Sequence, residues 1–241
     1  MSMPRPRSAF NLRHGRMNEP YVDQSSLTEK SKAWIQAIAE LNPPRIKLRP
    51  EKAALLVIDM QRFFLDPASP TFVCGGPAIV GRCRKLIEAF RRAERPVIFT
   101  QHVHTSAELD GGMMKLWWEG MVLEGSPEAK IIPELAPRPG EKVIKKHRYS
   151  AFYNTDLEIV LRCLGVSDLV ICGVMTNLCC ETTARDAFMR DYRVFFTADG
   201  TASVSEEMHL GALRTLAFGF AQVILAEEIV HRLLRVRAAG A

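Results

Sequence analysis

The run AALLVIDM at residues 53–60 is apolar except for Asp59. A strand with one face in water alternates polar and apolar residues, whereas this run offers water no face at all. It predicts a strand buried on both sides, and such a strand needs helices above and below it. The chain supplies them. Strand-like runs recur at 96–100 (PVIFT), 142–146 (KVIKK), 168–174 (DLVICGV), 193–199 (RVFFTAD) and 222–226 (QVILA). Between them, apolar residues fall at helical spacing over 79–92, 156–164, about 177–190 and 206–218. The alternation predicts the α/β class: a three-layer α/β/α sandwich around a mostly parallel six-stranded sheet. A chain of 241 residues accommodates one such domain, expected over 51–241. Residues 101–140 form a long connection of the kind that often carries function.

Residues 1–50 read as an arm. Ser26-Leu-Thr-Glu29 has the capping-box pattern and precedes KAWIQAIAEL, which predicts one short helix ended by Asn42-Pro-Pro44. The arm is expected to contact a neighbouring subunit. It also holds the charge imbalance: ten Lys/Arg against five Asp/Glu up to residue 52, then twenty-two of each. With no nucleic-acid motif beside it, the net charge of +5 does not indicate a nucleic-acid partner. No apolar run reaches the ~20 residues that span a bilayer, so no membrane partner is expected. The N-terminus lacks the apolar core of a secretory signal, and a cytoplasmic location is expected. Six cysteines (74, 83, 163, 172, 179 and 180) show no Cys-x-x-Cys spacing. Cys83, Cys163 and Cys172 read as small buried hydrophobes.

In open parallel sheets, ligands bind beyond the carboxyl ends of strands. Asp59 ends the first run, Lys145 and Lys146 end the third, and Cys179 follows the fourth by one tight turn. A thiol at a helix start near a cation is a nucleophile, expected here as a thiolate. A carboxylate beside it can move the proton. Each residue alone has a plainer reading: Asp59 as a turn cap, either lysine as a solvated charge, Cys179 as packing. Their joint placement at three strand ends favours chemistry. Phe64, Trp117, Trp118 and Tyr149 are candidates to wall a small aromatic pocket, with lid or interface packing as the alternative for the tryptophans.

The stretches LLVIDMQRFF, KHRYSAFYNTDLEIVLRCLGVSDLVICGVMTNLCCETTARDAF and RVFFTADGTAS resemble the isochorismatase-like cysteine hydrolases, over roughly residues 53–226. The resemblance implies an Asp59–Lys146–Cys179 triad. Lys146 is preferred because the family pattern Lys-x-Arg-Tyr-Ser-(Ala/Gly)-Phe falls on residues 146–152, and Cys179 because the nucleophile follows Thr176-Asn-Leu. Cys180 is then packing. It further implies a cis Val174–Met175 peptide, an oxyanion hole from the backbone N–H groups of Met175 and Cys179, and a homodimer or homotetramer. The activity implied is hydrolysis of a small-molecule amide, carbamoyl or ureido C–N bond through a thioester, with no cofactor. The alternatives are vinyl-ether hydrolysis, whose known members lack the cysteine, a thiol redox protein, and an idle binding subunit. Metal-holding relatives, the nicotinamidases, carry Asp-x-His after the second strand; here Thr100-Gln-His-Val-His104 has His102 in place of the Asp. No metal and no nicotinamidase activity are therefore expected, and His102 and His104 are read as pocket-lining or hydrogen-bonding groups.

Overall fold

The central strand is sealed as its sequence demands: every residue of β1 (Ala53–Ile58) is buried. The structure, a computed structural model, describes residues 18–118 and 120–239, so residues 1–17 of the arm lie outside the described residues. β1 pairs in parallel with β2 (Val97–His102) on one side and β4 (Asp168–Val174) on the other. With β3 (Lys142–Lys146), β5 (Arg193–Ala202) and β6 (Gln222–Ile224) they form one six-stranded sheet, ordered β3-β2-β1-β4-β5-β6 and parallel throughout. The helices are α1 (Leu27–Ala37), α2 (Arg62–Leu65), α3 (Gly76–Arg92), α4 (Gly112–Trp117), α5 (Leu157–Cys163), α6 (Glu181–Phe188), α7 (Glu206–Gly219) and α8 (Ala226–Ala239). Right-handed crossovers put α3 on one face of the sheet and α5, α6 and α7 on the other. Strand order reverses at β1, which opens a crevice at the carboxyl ends of β1 and β4. No helix among the described residues is long and apolar enough to cross a membrane.

Several elements differ from the sequence expectation. β2 continues to His102 and β5 to Ala202, because neighbouring strands pair with polar residues that an apolar-run criterion passes over. His102 pairs with Lys146, and Thr201 with Gly173 after a register shift in β4. The helix expected from about residue 177 starts as a wider, π-type turn over Thr176–Cys180 before α6 begins. α2, α4 and α8 were not expected at all. The capping box does not form: Ser26 makes no side-chain bond to the helix. Asp23 takes its place, Oδ1 accepting the N–H groups of Ser25 (2.9 Å) and Ser26 (2.8 Å). α1 packs on its own chain, with Trp34 only 2% exposed.

The approach of β4 to β1 depends on Gly173. Its φ is +119°, and a Cβ there would lie 2.0 Å from the Ile58 carbonyl oxygen. Gly165 also has positive φ (+63°) but faces open space. Gly173→Ala is expected to cost about 3 kcal/mol or more in chemical denaturation. Gly165→Ala is expected to cost about 1–2 kcal/mol, the backbone conformation alone.

Candidate active site

Asp59 is the first residue past β1 and sits in the left-handed region at φ +49°, which Asp tolerates better than most side chains. Thr100 of β2 fixes it twice. Its hydroxyl donates to Asp59 Oδ1 at 2.5 Å and accepts the Asp59 backbone N–H at 3.0 Å. Asp59 Oδ2 receives the Lys146 ammonium at 2.7 Å, with both side chains fully buried. That approach lies off a hydrogen-bonding direction, and Oδ2 makes no hydrogen bond.

Lys146 is the last residue of β3, two strands from β1, and its long stem carries the ammonium across the end of β2. Beyond Asp59, Nζ lies 3.3 Å from Cys179 Sγ, 3.3 Å from His102 Nδ1 and 3.1 Å from the Arg148 carbonyl oxygen. Three acceptors thus meet its three N–H groups, with the Asp59 carboxylate alongside as counter-charge. Burial opposes the charge, but Asp59 and then Cys179 outweigh it, and the lysine pKa is raised. The neighbouring Lys145 is exposed and paired with Glu124, so it takes no part.

Cys179 sits in the π-type turn and is 4% exposed. The expectation of a resting thiolate is corrected here. Burial pushes the thiol up, Lys146 pulls it down and Asp59 pushes it up again, to about 12 in all. At neutral pH the sulfur therefore keeps its proton. A carboxylate oxygen of Asp59, an imidazole nitrogen of His102 and the sulfur lie within 4.8 Å of one another. Cys180 is fully buried, its thiol raised by burial first, and all six cysteines are free. The Val174–Met175 peptide is cis. The amides of Leu178 and Cys180 both donate to the Met175 carbonyl, at 3.1 and 3.2 Å, with Cys179 between them in sequence.

His102 was left open by the sequence reading, and the structure places it against the ammonium. Residues 100, 102 and 104 share one face by strand alternation, which is the signal that links Thr100, His102 and His104. Lysine only donates, so His102 Nδ1 must accept and Nε2 carries the ring proton. That proton points to His104 Nε2 at 3.1 Å, which leaves His104 to donate from Nδ1 to Asp110 Oδ1 at 2.9 Å. Burial is the first cause that lowers the pKa of both rings, and Lys146 lowers His102 further. Both histidines are neutral, each in a single tautomer. Gln61 clamps the His102 backbone, accepting its N–H at 2.8 Å and donating to its carbonyl at 3.1 Å.

The sulfur opens onto a narrow cavity of about 40 Å³. Phe64, His104, Trp118 and Tyr149 line it as expected residues, and Met175 joins them beside Cys179. Trp118 Nε1 donates to the Tyr149 hydroxyl at 2.9 Å, which ties the connection to the segment after β3. Trp117 does not line the cavity: it ends α4 with 60% of its surface exposed, because adjacent residues of a helix face different ways. Phe63, Met114, Met121 and Val122 complete the apolar wall. Single apolar residues in a loop give no sequence signal of their destination.

Among the described residues, two groups of side chains bring metal-ligating atoms together. Asp59, His102 and Cys179 already surround the Lys146 ammonium, which supplies the positive charge. In the second set, His104, Asp110 and His147, both ring nitrogens of His104 are engaged and His147 keeps only Nε2 open. His104 bonds Asp110 Oδ1, Oδ2 accepts the Thr105 N–H at 2.7 Å, and His147 Nδ1 donates to the Val103 carbonyl at 2.6 Å. Neither set fits a resident ion as arranged.

Comparison with known proteins agrees with this architecture. Residues 53–228 match the isochorismatase domain family model. Nicotinamidase 3 of Arabidopsis thaliana is 42% identical over 185 residues, covering 76% of this chain and 89% of that protein. The phenazine biosynthesis protein PhzD of Pseudomonas fluorescens is 34% identical, covering 75% of this chain and 86% of that one. Among solved structures, a cysteine hydrolase from Pseudomonas syringae pv. phaseolicola 1448A superposes with a TM-score of 0.74 at 30% identity, covering 79% of this chain and 96% of that one. N-carbamoylsarcosine amidase from Thermoplasma acidophilum gives 0.64 at 31% identity, covering 73% of this chain and 96% of the other. A buried Asp–Lys–Cys cluster at the switch point of a parallel sheet, carried on a chain with these relatives, belongs to a hydrolase of the isochorismatase family.

Proposed function

We propose that this protein hydrolyses a small carboxamide or related C–N bond through a thioester on Cys179. One observation carries the reading: a fully buried ammonium, Lys146, touches both a carboxylate at 2.7 Å and a thiol at 3.3 Å on the floor of an apolar cavity. A buried cation is expensive unless paired, and this one pairs with the two groups that nucleophilic acyl transfer requires. Two relatives, by their names a nicotinamidase and an N-carbamoylsarcosine amidase, support C–N over vinyl-ether chemistry.

The protonated resting thiol defines the first step. As a substrate carbonyl reaches Sγ, Asp59 takes the thiol proton and the S–C bond forms, so no free thiolate accumulates. Lys146 stabilises the charge on sulfur as it develops. The backbone N–H groups of Met175 and Cys179 receive the oxyanion. Collapse breaks the C–N bond while Asp59 returns its proton to the departing nitrogen, leaving the thioester. Water then attacks, giving its proton to Asp59; the C–S bond breaks, and Asp59 reprotonates the sulfur. With His102 and His104 neutral, Lys146 is the cation at the sulfur among the described residues.

The cavity wall favours a small, uncharged, largely apolar acyl group. Aromatic carboxamides, nicotinamide among them, therefore head the substrate panel, ahead of ureido compounds. This replaces the expectation against nicotinamide drawn from the missing Asp-x-His, since no step above uses a metal.

Ammonia release from that panel is expected to fall about 10⁴-fold in Cys179→Ala and Asp59→Asn. Cys180→Ala removes only a packing sulfur and keeps activity within about threefold. Full activity in Cys179→Ala would overturn the reading. The raised thiol has its own signature in peptide-resolved alkylation. With a pKa near 12, modification of Cys179 should accelerate about tenfold per pH unit from pH 7 through 10 without levelling. A plateau setting in by about pH 9.5, where an ordinary thiol is about nine-tenths ionised, would contradict it.

A further inference from the structure

The family match begins at residue 53, yet the segment before it reaches the turn that carries the nucleophile. It does so by two separate routes. Along the first, the Tyr21 hydroxyl accepts the Ser203 backbone N–H at 3.0 Å, and Ser203 Oγ donates to Asn177 Oδ1 at 2.6 Å. Along the second, the Trp34 ring packs on His209 of α7 with centroids 4.4 Å apart, and His209 Nδ1 pairs with Thr176 Oγ1 at 2.8 Å. Thr176 and Asn177 are the first two residues of the turn whose fourth is Cys179.

The residues that relay both routes are buried. Ser203, His209 and Thr176 have no exposed surface. Burial holds the His209 pKa down to about 3, so this link does not change charge near neutrality. The tryptophan is itself fixed: Nε1 donates to Glu206 Oε1 at 2.7 Å, and Lys30 from the same helix holds Oε2 at 2.7 Å. Tyr21 stands 6.0 Å from both the Trp34 and the His209 ring, which joins the routes into one cluster. Upstream, the Glu19 N–H donates to the Val204 carbonyl at 2.8 Å, docking the strand-like start of the segment beside Ser203.

We propose that Tyr21 and Trp34 are positioning residues for Cys179: the segment before the family domain braces the nucleophile turn through Ser203–Asn177 and His209–Thr176. The turn needs such a brace. Sγ must stay at 3.3 Å from Lys146, and a displacement of about 1 Å in a reacting group costs about 100-fold in rate. The arm is then part of the site rather than an appendage to it. Its consequence for turnover rests on the hydrolase reading above; its effect on the turn does not.

The test uses Tyr21→Phe and Trp34→Phe, which keep an aromatic ring and lose the hydroxyl or the indole. Leu48→Ala, a buried change elsewhere on the same segment, serves as the control for lost stability alone. Hydrogen exchange read by mass spectrometry needs no substrate. In the two aromatic variants, and most in the double variant, the peptide covering residues 175–180 should exchange at least about tenfold faster, with β1 unchanged. With a hydrolysed amide in hand, kcat should fall about tenfold while KM stays within twofold. Leu48→Ala should lower the melting temperature and leave both readouts as in the parent. Parental exchange across 175–180 in the double variant would overturn the proposal. So would a Leu48→Ala protein that loosens this peptide equally, since the effect would then follow stability. Absence of amide hydrolysis in the parent would sink the functional reading and leave the exchange result to decide this one.

Discussion

A single buried ammonium organises the catalytic end of this molecule. Lys146 sits where water cannot reach it, and an unpaired charge there would cost several kcal/mol. Asp59, Cys179, His102 and the Arg148 carbonyl surround it, drawn from the end of β2 and from the segments that follow β1, β3 and β4. Most of the local structure meets the needs of that group. The left-handed backbone at Asp59, the two bonds from Thr100 and the clamp of Gln61 on His102 all fix its partners. Burial keeps both histidines neutral, and the ammonium 3.3 Å away disfavours charge on His102 further.

The sulfur shows how environment divides two chemically identical neighbours. Cys179 and Cys180 are adjacent and both buried, and burial raises both thiols. Only Cys179 lies against the ammonium and lines the cavity. A thiol held protonated beside an acceptor is suited to transfer its proton during attack. It is also poorly suited to act as a free redox thiolate, which weakens the redox alternative.

Support for the site is spread beyond the family domain. Two aromatic residues from the N-terminal segment reach the turn that carries Cys179 through buried intermediates. The sequence reading expected this segment on a neighbouring subunit because of its basic charge and the oligomer that the family resemblance implies. Among its described residues, Val22, Leu27, Trp34, Ile38 and Leu48 are covered by the domain it precedes.

The sequence by itself determined the layers, the six strands and the placement of Asp59, Lys146 and Cys179 at strand ends. These follow from local pattern, since apolar periodicity registers burial and strand termini locate the crevice. Tertiary structure alone decided the rest. It chose which face of β2 meets the ammonium, so that His102 became a partner of Lys146, and it turned Trp118 inward and Trp117 outward. It also kept the proton on Cys179, because burial outweighs one nearby cation. Each of these depends on desolvation and on contacts between residues far apart in the chain, which no local pattern of residue types encodes.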